Sequence, residues 1–168
     1  MVSYLGRINR TDMCRNYFSG VLFSISLLLF SSLAWADQAT NLFTGKEYLR
    51  QNAEQARVIV MRSGLQYEIL QSGHGATPSR RDRVVVHYRG TFIDGKEFDS
   101  SFKRNKPLEF RADQVIKGWT EALMLMKEGD KWRLHIPYQL GYGNDGYGPI
   151  PPKSVLIFEV ELLEVKKR

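Results

Sequence analysis

An alternation of apolar and acidic side chains near the C-terminal end restricts the fold more than any other feature of this chain. In residues 155–163 one parity is apolar, and it consists of Leu156, Phe158, Val160 and Leu162. The other parity includes Glu159 and Glu161. Successive side chains of a strand point to opposite faces, so the pattern predicts a half-buried strand that closes a core.

The same period of two recurs upstream and predicts an antiparallel sheet. Strands are expected at residues 65–70, 83–92, 107–110 and 132–136. Val84, Val86 and Tyr88 share one face of the second of these strands. Asp94-Gly95 is a hairpin signal, so residues 97–99 should pair back. We interpret His87 and His135 as solvent-facing strand residues.

Two segments have helical periodicity instead. In residues 115–126 Trp119, Leu123 and Met126 lie on one side, which predicts a short helix packed on the sheet. The fold class is therefore α+β.

A second helix is expected before the sheet. Thr44 and Glu47 have capping-box spacing, which predicts a helix to about residue 61 after a tether at residues 37–43. Its apolar stripe would contain Leu49, Ala53, Ala56 and Val60. Such a helix either lies on its own domain or is the remnant of a dimerisation arm, and one short helix favours the first reading.

Residues 1–36 have the organisation of a signal peptide. Three arginines precede a run of about ten apolar residues, and Ala34-Trp35-Ala36 forms an A-x-A cleavage site. We expect cleavage after Ala36 and export to the periplasm, with an uncleaved membrane anchor as the alternative. Met13 is an alternative start that would give a compact signal. The only cysteine, Cys14, lies in this segment, so the mature chain would contain no thiol.

Composition and motifs exclude several classes of function. The formal charge of +6 is spread along the chain, which argues against nucleic-acid binding. His74, His87 and His135 have no metal-ligand spacing. No phosphate-binding loop and no nucleophile elbow is present in the sequence. We therefore expect no metal and no cofactor.

What remains is a set of aromatic residues on different elements that point toward one side of the sheet. They are Tyr88, Phe98, Trp119, Tyr142 and Phe158. An ordinary core would explain the pattern. Two features favour a pocket instead: Gly118 precedes Trp119, and Tyr142 lies in a loop of about fifteen residues, a length that is usually functional.

Six motifs in order make the chain resemble the FKBP-type peptidyl-prolyl cis-trans isomerases. They occupy residues 85–88, 95–101, 115–119, 140–143, 150–152 and 156–162. The resemblance covers residues 64–166. The preceding helix resembles the entry to exported bacterial members of the macrophage-infectivity-potentiator type, here without a long dimerisation arm. The implied domains are a signal peptide at 1–36, a tether and helix at 37–63, and an isomerase domain at 64–168.

The resemblance implies a sheet wrapped around the short helix and a pocket with assigned roles. Trp119 would form the floor, and Asp99 and Tyr142 the polar edge. The walls and rim would consist of Tyr88, Phe98, Leu108, Val115, Ile116, Ile150 and Phe158. Asp99, Tyr142, Trp119 and Phe98 would be catalytic and the rest would bind substrate. Leu108 and Tyr147 depart from residues common in the family, which concerns substrate preference.

The implied activity is isomerisation of X–Pro bonds in exported proteins, which assists their folding. The alternative is a chaperone or binding module that docks apolar or proline-containing segments, with incidental turnover. The expected partners are proline-containing polypeptides, with macrolides as candidate pocket ligands. We expect a monomer with no nucleic-acid partner, and membrane contact only through an uncleaved signal segment.

Overall fold

The computed structural model describes residues 38–167. The predicted signal peptide, its cleavage site and Cys14 lie outside the described residues. Within the described part, no helix is both long enough and apolar enough to cross a membrane.

Seven strands and two α-helices make up the described chain. Helix α1 covers residues 38–52. It is followed by β1 (Ile59–Val60), β2 (Gln66–Gln71), β3 (Arg83–Thr91), β4 (Glu97–Ser100) and β5 (Leu108–Arg111). Helix α2 (Lys117–Leu123) precedes β6 (Lys131–Ile136), a 3₁₀ turn (Tyr138–Leu140) and β7 (Leu156–Lys166).

All strand pairs are antiparallel. The order in the sheet is β1-β2-β6-β7-β3-β4, and β5 also pairs with β3. The C-terminal strand β7 thus lies at the centre between β3 and β6, which explains why its alternation restricts the fold so strongly. The α+β fold with a short helix on an antiparallel sheet is confirmed.

The inner face of the sheet and α2 enclose the core. Leu156, Phe158, Val160 and Leu162 of β7 are all buried, as their parity predicts. Gly118 allows the close approach of α2 to β6, because a Cβ at this position would lie 2.7 Å from Ile136 Cγ2. The approach places Trp119 inside the sheet's concave side, where it is 5% exposed.

Helix α1 differs from its prediction at both ends. Residues 38–43 are helical rather than a tether, and the helix ends at 52 rather than near 61. Thr44 is therefore not an N-cap: its hydroxyl donates to the Thr40 carbonyl one turn earlier (2.8 Å). Val60 belongs to β1 and is half exposed, so the predicted alanine stripe does not form.

The face of α1 that contacts the domain is polar, which is why apolar periodicity did not locate it. Asn41 Nδ2 donates to the Pro152 carbonyl (3.1 Å), and Asn52 Nδ2 donates to Gln66 Oε1 (2.8 Å). Gln66 Nε2 in turn donates to the Leu49 carbonyl (2.8 Å). The helix lies against its own domain.

His135 is not solvent-facing as predicted. It is 2% exposed, because α1 covers the outer face of the sheet above it. Its Nε2 lies 3.1 Å from Glu68 Oε1, and its Nδ1 lies 2.7 Å from the Tyr48 hydroxyl. A carboxylate only accepts, so Nε2 carries the proton and the Tyr48 hydroxyl donates to Nδ1.

Candidate functional site

A cavity of about 410 Å³ opens on the concave side of the sheet. All ten residues predicted for the site line it: Asp99, Tyr142, Trp119, Phe98, Tyr88, Val115, Ile116, Leu108, Ile150 and Phe158. The structure thus brings the residues together, while their chemical roles stay predictions. The same cavity is also lined by four residues that the sequence analysis did not assign to it: Phe110, Gln114, Tyr147 and Pro149.

The bottom of the cavity is built from aromatic rings that meet edge to face. Trp119 packs at right angles to Phe158 (centroids 5.2 Å apart, 89°) and to Tyr88 (5.3 Å, 86°). Phe98 meets Phe158 in the same way (5.4 Å, 89°). Such pairs fix ring orientation beyond the effect of burial alone. The floor is therefore a rigid apolar surface.

Gly90 of β3 makes room for this cluster. It pairs with Phe158 of β7 on one side of β3 and with Asp99 of β4 on the other side. A Cβ at position 90 would lie 2.7 Å from both Phe158 Cε1 and Phe98 Cζ. Any side chain here would push the two rings apart, so Gly90 shapes the cavity without lining it.

On one side of the polar edge, Asp99 belongs to an organised group of three side chains with Tyr88 and Arg104. The Tyr88 hydroxyl donates to Asp99 Oδ2 (2.5 Å), and Arg104 donates to Asp99 Oδ1 and to the Tyr88 oxygen (2.6 Å). Arg104 also lies over the Tyr88 ring, 5.6 Å from its centroid. Both carboxylate oxygens of Asp99 are thus engaged before any substrate binds.

Electrostatics keep these groups in defined states. Burial raises the pKa of Asp99, but the hydrogen bonds from Tyr88 and Arg104 outweigh it and hold the pKa below its ordinary value. Burial, with the hydrogen bond to Asp99, raises the pKa of Tyr88 to about 12. Asp99 is therefore an anion and Tyr88 a protonated donor at neutral pH.

Tyr142 stands on the other side of the polar edge, in the loop after β6. Burial, and then the charge of Asp99, raise the pKa of its hydroxyl, so the group stays protonated. In the described part of the chain this hydroxyl has no hydrogen-bond partner. Its ring stacks on Tyr147 at 5.4 Å and 12°. It is an oriented donor that is free to bind a ligand carbonyl.

The sequence does not predict Arg104 as a site residue, because its contact with Asp99 depends on the tertiary structure. Arg104 follows the predicted motif at residues 95–101 as one of several cations in a loop, and nothing in the spacing separates it from Lys103. Only the fold shows that Arg104 turns toward Asp99 whereas Lys103 pairs with Glu97.

His87, which was predicted to face solvent, is half-buried. His87 Nδ1 lies 2.8 Å from Ser101 Oγ, and its ring stacks on Phe102, away from the cavity. Among residues 38–167 no group of three or more His, Cys, Asp or Glu side chains is placed to hold a metal.

Two family models match the chain. One, described as FKBP-type peptidyl-prolyl cis-trans isomerase, covers residues 75–163. The other, described as the domain amino terminal to that isomerase, covers residues 31–69. The chain belongs to the FKBP-type peptidyl-prolyl cis-trans isomerases. The segment matched by the first family model, residues 75–163, contains every residue that lines the cavity.

Relatives support the same assignment. FkpA of Escherichia coli K12 is 50% identical over 130 residues, which are 77% of this chain and 48% of FkpA. The macrophage infectivity potentiator of Trypanosoma cruzi is 42% identical over 90% of this chain and 85% of its own length. The chain thus spans about half the length of FkpA.

A solved structure shows the same fold. The crystal structure of FkpA from Escherichia coli has a TM-score of 0.82 and 41% identity, and the match covers 96% of this chain and 75% of that one. The resemblance to the FKBP family and to macrophage-infectivity-potentiator-type members is confirmed.

Proposed function

We propose that this protein catalyses cis-trans isomerisation of X–Pro peptide bonds in exported polypeptides and thereby assists their folding. One observation carries the proposal: an apolar cavity floored by Trp119 has an oriented hydroxyl and a fixed carboxylate at its edge. This arrangement suits a reaction that breaks no covalent bond.

The physical problem in the reaction is a loss of resonance. Twisting an amide costs about 18–20 kcal/mol, and X–Pro isomers exchange in tens of seconds or more without a catalyst. Water stabilises the planar, polar amide better than the twisted one. A cavity that replaces water with aromatic rings lowers that advantage, and rotation becomes easier.

Each group at the site then has a role in orienting the bond. The proline ring lies on Trp119, between the rings of Phe98 and Phe158. Tyr142 donates to a substrate carbonyl and fixes its direction. Asp99 acts electrostatically on the amide dipole, and Tyr88 and Arg104 hold it in place. No step needs a proton transfer, a metal or a cofactor.

The test compares single-residue variants of the site with the wild-type chain. Nuclear magnetic resonance exchange spectroscopy follows cis-trans interconversion without an auxiliary protease. Tyr142→Phe and Asp99→Ala should each lower kcat/KM about 10-fold or more, as expected for loss of a charged or oriented hydrogen bond. Trp119→Ala should lower both activity and stability. Full activity in Asp99→Ala would refute the role given to that carboxylate.

The second candidate function is a chaperone or binding module. It is favoured by the apolar character of the cavity mouth, where Leu108 and Tyr147 are exposed. A holdase should suppress aggregation of a proline-free client as well as a proline-rich one. We expect instead that the protein suppresses aggregation only of clients that contain proline. The Tyr142→Phe variant should lose this suppression to the same extent as it loses isomerase activity.

We also propose that the protein is exported to the periplasm as a monomer, with cleavage after Ala36. One relative is named an outer membrane protein, which agrees with export. N-terminal sequencing should give Asp37 as the first residue. Macrolide compounds should compete with proline peptides for the cavity, and we expect no affinity for nucleic acid.

A further inference from the structure

Tyr147 is an unusual member of the cavity lining. It is 70% exposed, whereas the neighbouring Ile150 is 6% exposed. A large aromatic side chain that lines a cavity and still meets solvent lies at the mouth. Its ring is available to a ligand but does not form the floor.

The backbone that carries Tyr147 is held in one conformation. Tyr147 N–H donates to the Ile150 carbonyl and Ile150 N–H donates to the Tyr147 carbonyl, both at 2.9 Å. Gly146 has a φ of +73°, and a Cβ there would lie 2.2 Å from the Ile150 oxygen. The turn is therefore tight and specific to glycine at this position.

The ring is fixed as well. It stacks on Tyr142 with centroids 5.4 Å apart and planes 12° from parallel. Stacking covers one face of Tyr147, and its high exposure leaves the other open. A pre-oriented tyrosine offers a large apolar contact at a low cost in conformational entropy.

The position of the ring decides which part of a substrate it meets. An X–Pro pair on Trp119 occupies the floor and walls, so the mouth meets residues outside that pair. The nearby polar edge carries an anion and a cation that are already paired, Asp99 and Arg104. An aromatic side chain therefore suits the open face of Tyr147 better than a charged one.

We propose that Tyr147 is a specificity-determining residue that selects proline segments with an aromatic side chain just outside the X–Pro pair. This inference rests on the proposed isomerase function and names its preferred substrates. Tyr147 contacts the flanking ring directly, and Tyr142 supports it from behind.

The experiment uses the full-length protein and matched peptides in exchange spectroscopy. Each peptide has alanine at X and either phenylalanine or alanine at the flanking position, two residues before or one residue after the proline. The wild-type chain should prefer the phenylalanine peptide in at least one of the two series, by about 3- to 10-fold in kcat/KM. Tyr147→Ala should reduce that preference to less than about twofold, and Tyr147→Phe should keep it.

Phe43→Ala provides a matched control, because Phe43 is an exposed aromatic residue of α1 that does not line the cavity. It should leave the preference unchanged. If Tyr147→Ala lowers turnover of all peptides equally, Tyr147 only positions Tyr142 and the inference is wrong. An unchanged preference in Tyr147→Ala refutes it too. If the wild-type chain isomerises no peptide, the proposed function itself fails.

Discussion

Asp99 shows how one residue in the site depends on its neighbours. A carboxylate at the edge of an apolar cavity loses hydration, which favours its neutral form. Tyr88 and Arg104 compensate for that loss, so Asp99 remains charged and both its oxygens are fixed. The orientation of the Asp99 carboxylate therefore depends on three residues: Tyr88 on β3, Asp99 itself on β4, and Arg104 in the loop that follows.

Removing Arg104 should weaken catalysis without unfolding the domain. We expect Arg104→Met to lower kcat/KM about 3- to 10-fold, a modest loss because the pair with Asp99 is partly exposed. The loss of a stabilising cation also raises the pKa of Asp99. The acid limb of the pH profile of kcat/KM should therefore move to higher pH.

Lys103 supplies the control for this prediction. It is the neighbouring cation, it is more exposed, and it pairs with Glu97 at 2.9 Å rather than with the cavity edge. Lys103→Met should change kcat/KM by less than about twofold, as is usual for exposed ion pairs. An equal effect of the two substitutions would show that general charge, and not the contact with Asp99, is responsible.

The site residues that the sequence predicts differ physically from those that it does not predict. Five of the ten lining residues, all aromatic, were predicted from their placement on different elements, and the other five were predicted only from the resemblance to the FKBP family. Gly90 and Arg104 carry no such signal: the importance of Gly90 comes from the rings of Phe98 and Phe158 that reach it from other strands. Such constraints exist only after the chain has folded.

At the scale of elements, the contact between α1 and the sheet is a polar latch. It consists of Tyr48 on α1, His135 on β6 and Glu68 on β2. Arg133 Nη1 lies 3.5 Å from Glu68 Oε1, and Arg133 Nη2 donates to Glu159 Oε1 of β7 (2.8 Å). The charge of Arg89 on β3 also helps to lower the pKa of Glu159. The latch works with a neutral imidazole, which donates to Glu68 and accepts from Tyr48.

The latch should make stability depend on pH. Burial lowers the pKa of His135, although Glu68 opposes the effect. A histidine whose folded pKa lies below its unfolded value of about 6.5 binds protons more readily when the chain unfolds. Its contribution is complete above pH 6.5 and is lost as the pH falls through the folded value.

The measurement is the Tm of wild type and of His135→Gln between pH 8 and pH 5. The wild-type Tm should fall more steeply below about pH 6.5, because glutamine does not titrate. Tyr48→Phe removes one partner of the latch while leaving the imidazole, so its slope should stay close to that of wild type. Parallel curves for wild type and His135→Gln would contradict the prediction.

The predicted boundaries of α1 were wrong for a reason that the latch makes clear. The apolar stripe and the capping-box spacing in the sequence both indicated the wrong boundaries. The helix docks through Asn41, Gly45, Tyr48 and Asn52. These residues have helical spacing, but most of their side chains are polar. The strands were easier to predict from the sequence. Strands β3, β6 and β7 each bury one apolar face, so apolar and polar residues alternate along them.

At the scale of the whole molecule, the sheet separates two faces with different roles. The cavity and α2 lie on the concave face, and α1 lies on the outer face against β2 and β6. No residue of α1 lines the cavity. The described contacts of α1 reach the cavity only indirectly, through β2, β6 and the loop at Pro152, so stability and catalysis should be largely separable.

Deleting α1 tests that separation. A chain that begins at residue 53 loses the four hydrogen bonds that join α1 to Pro152, Gln66 and His135. At about 1 kcal/mol for each bond, and with Gln66 and His135 regaining water, the free energy of unfolding should fall by roughly 2–5 kcal/mol. That corresponds to a decrease in Tm of roughly 8–20 °C for a domain of this size. At temperatures where the shortened chain is folded, its kcat/KM on proline peptides should stay within about twofold of a chain that begins at residue 37. A large loss of activity in a folded chain would mean that α1 shapes the cavity through β6 or through the loop at Pro152, and that the two faces are coupled.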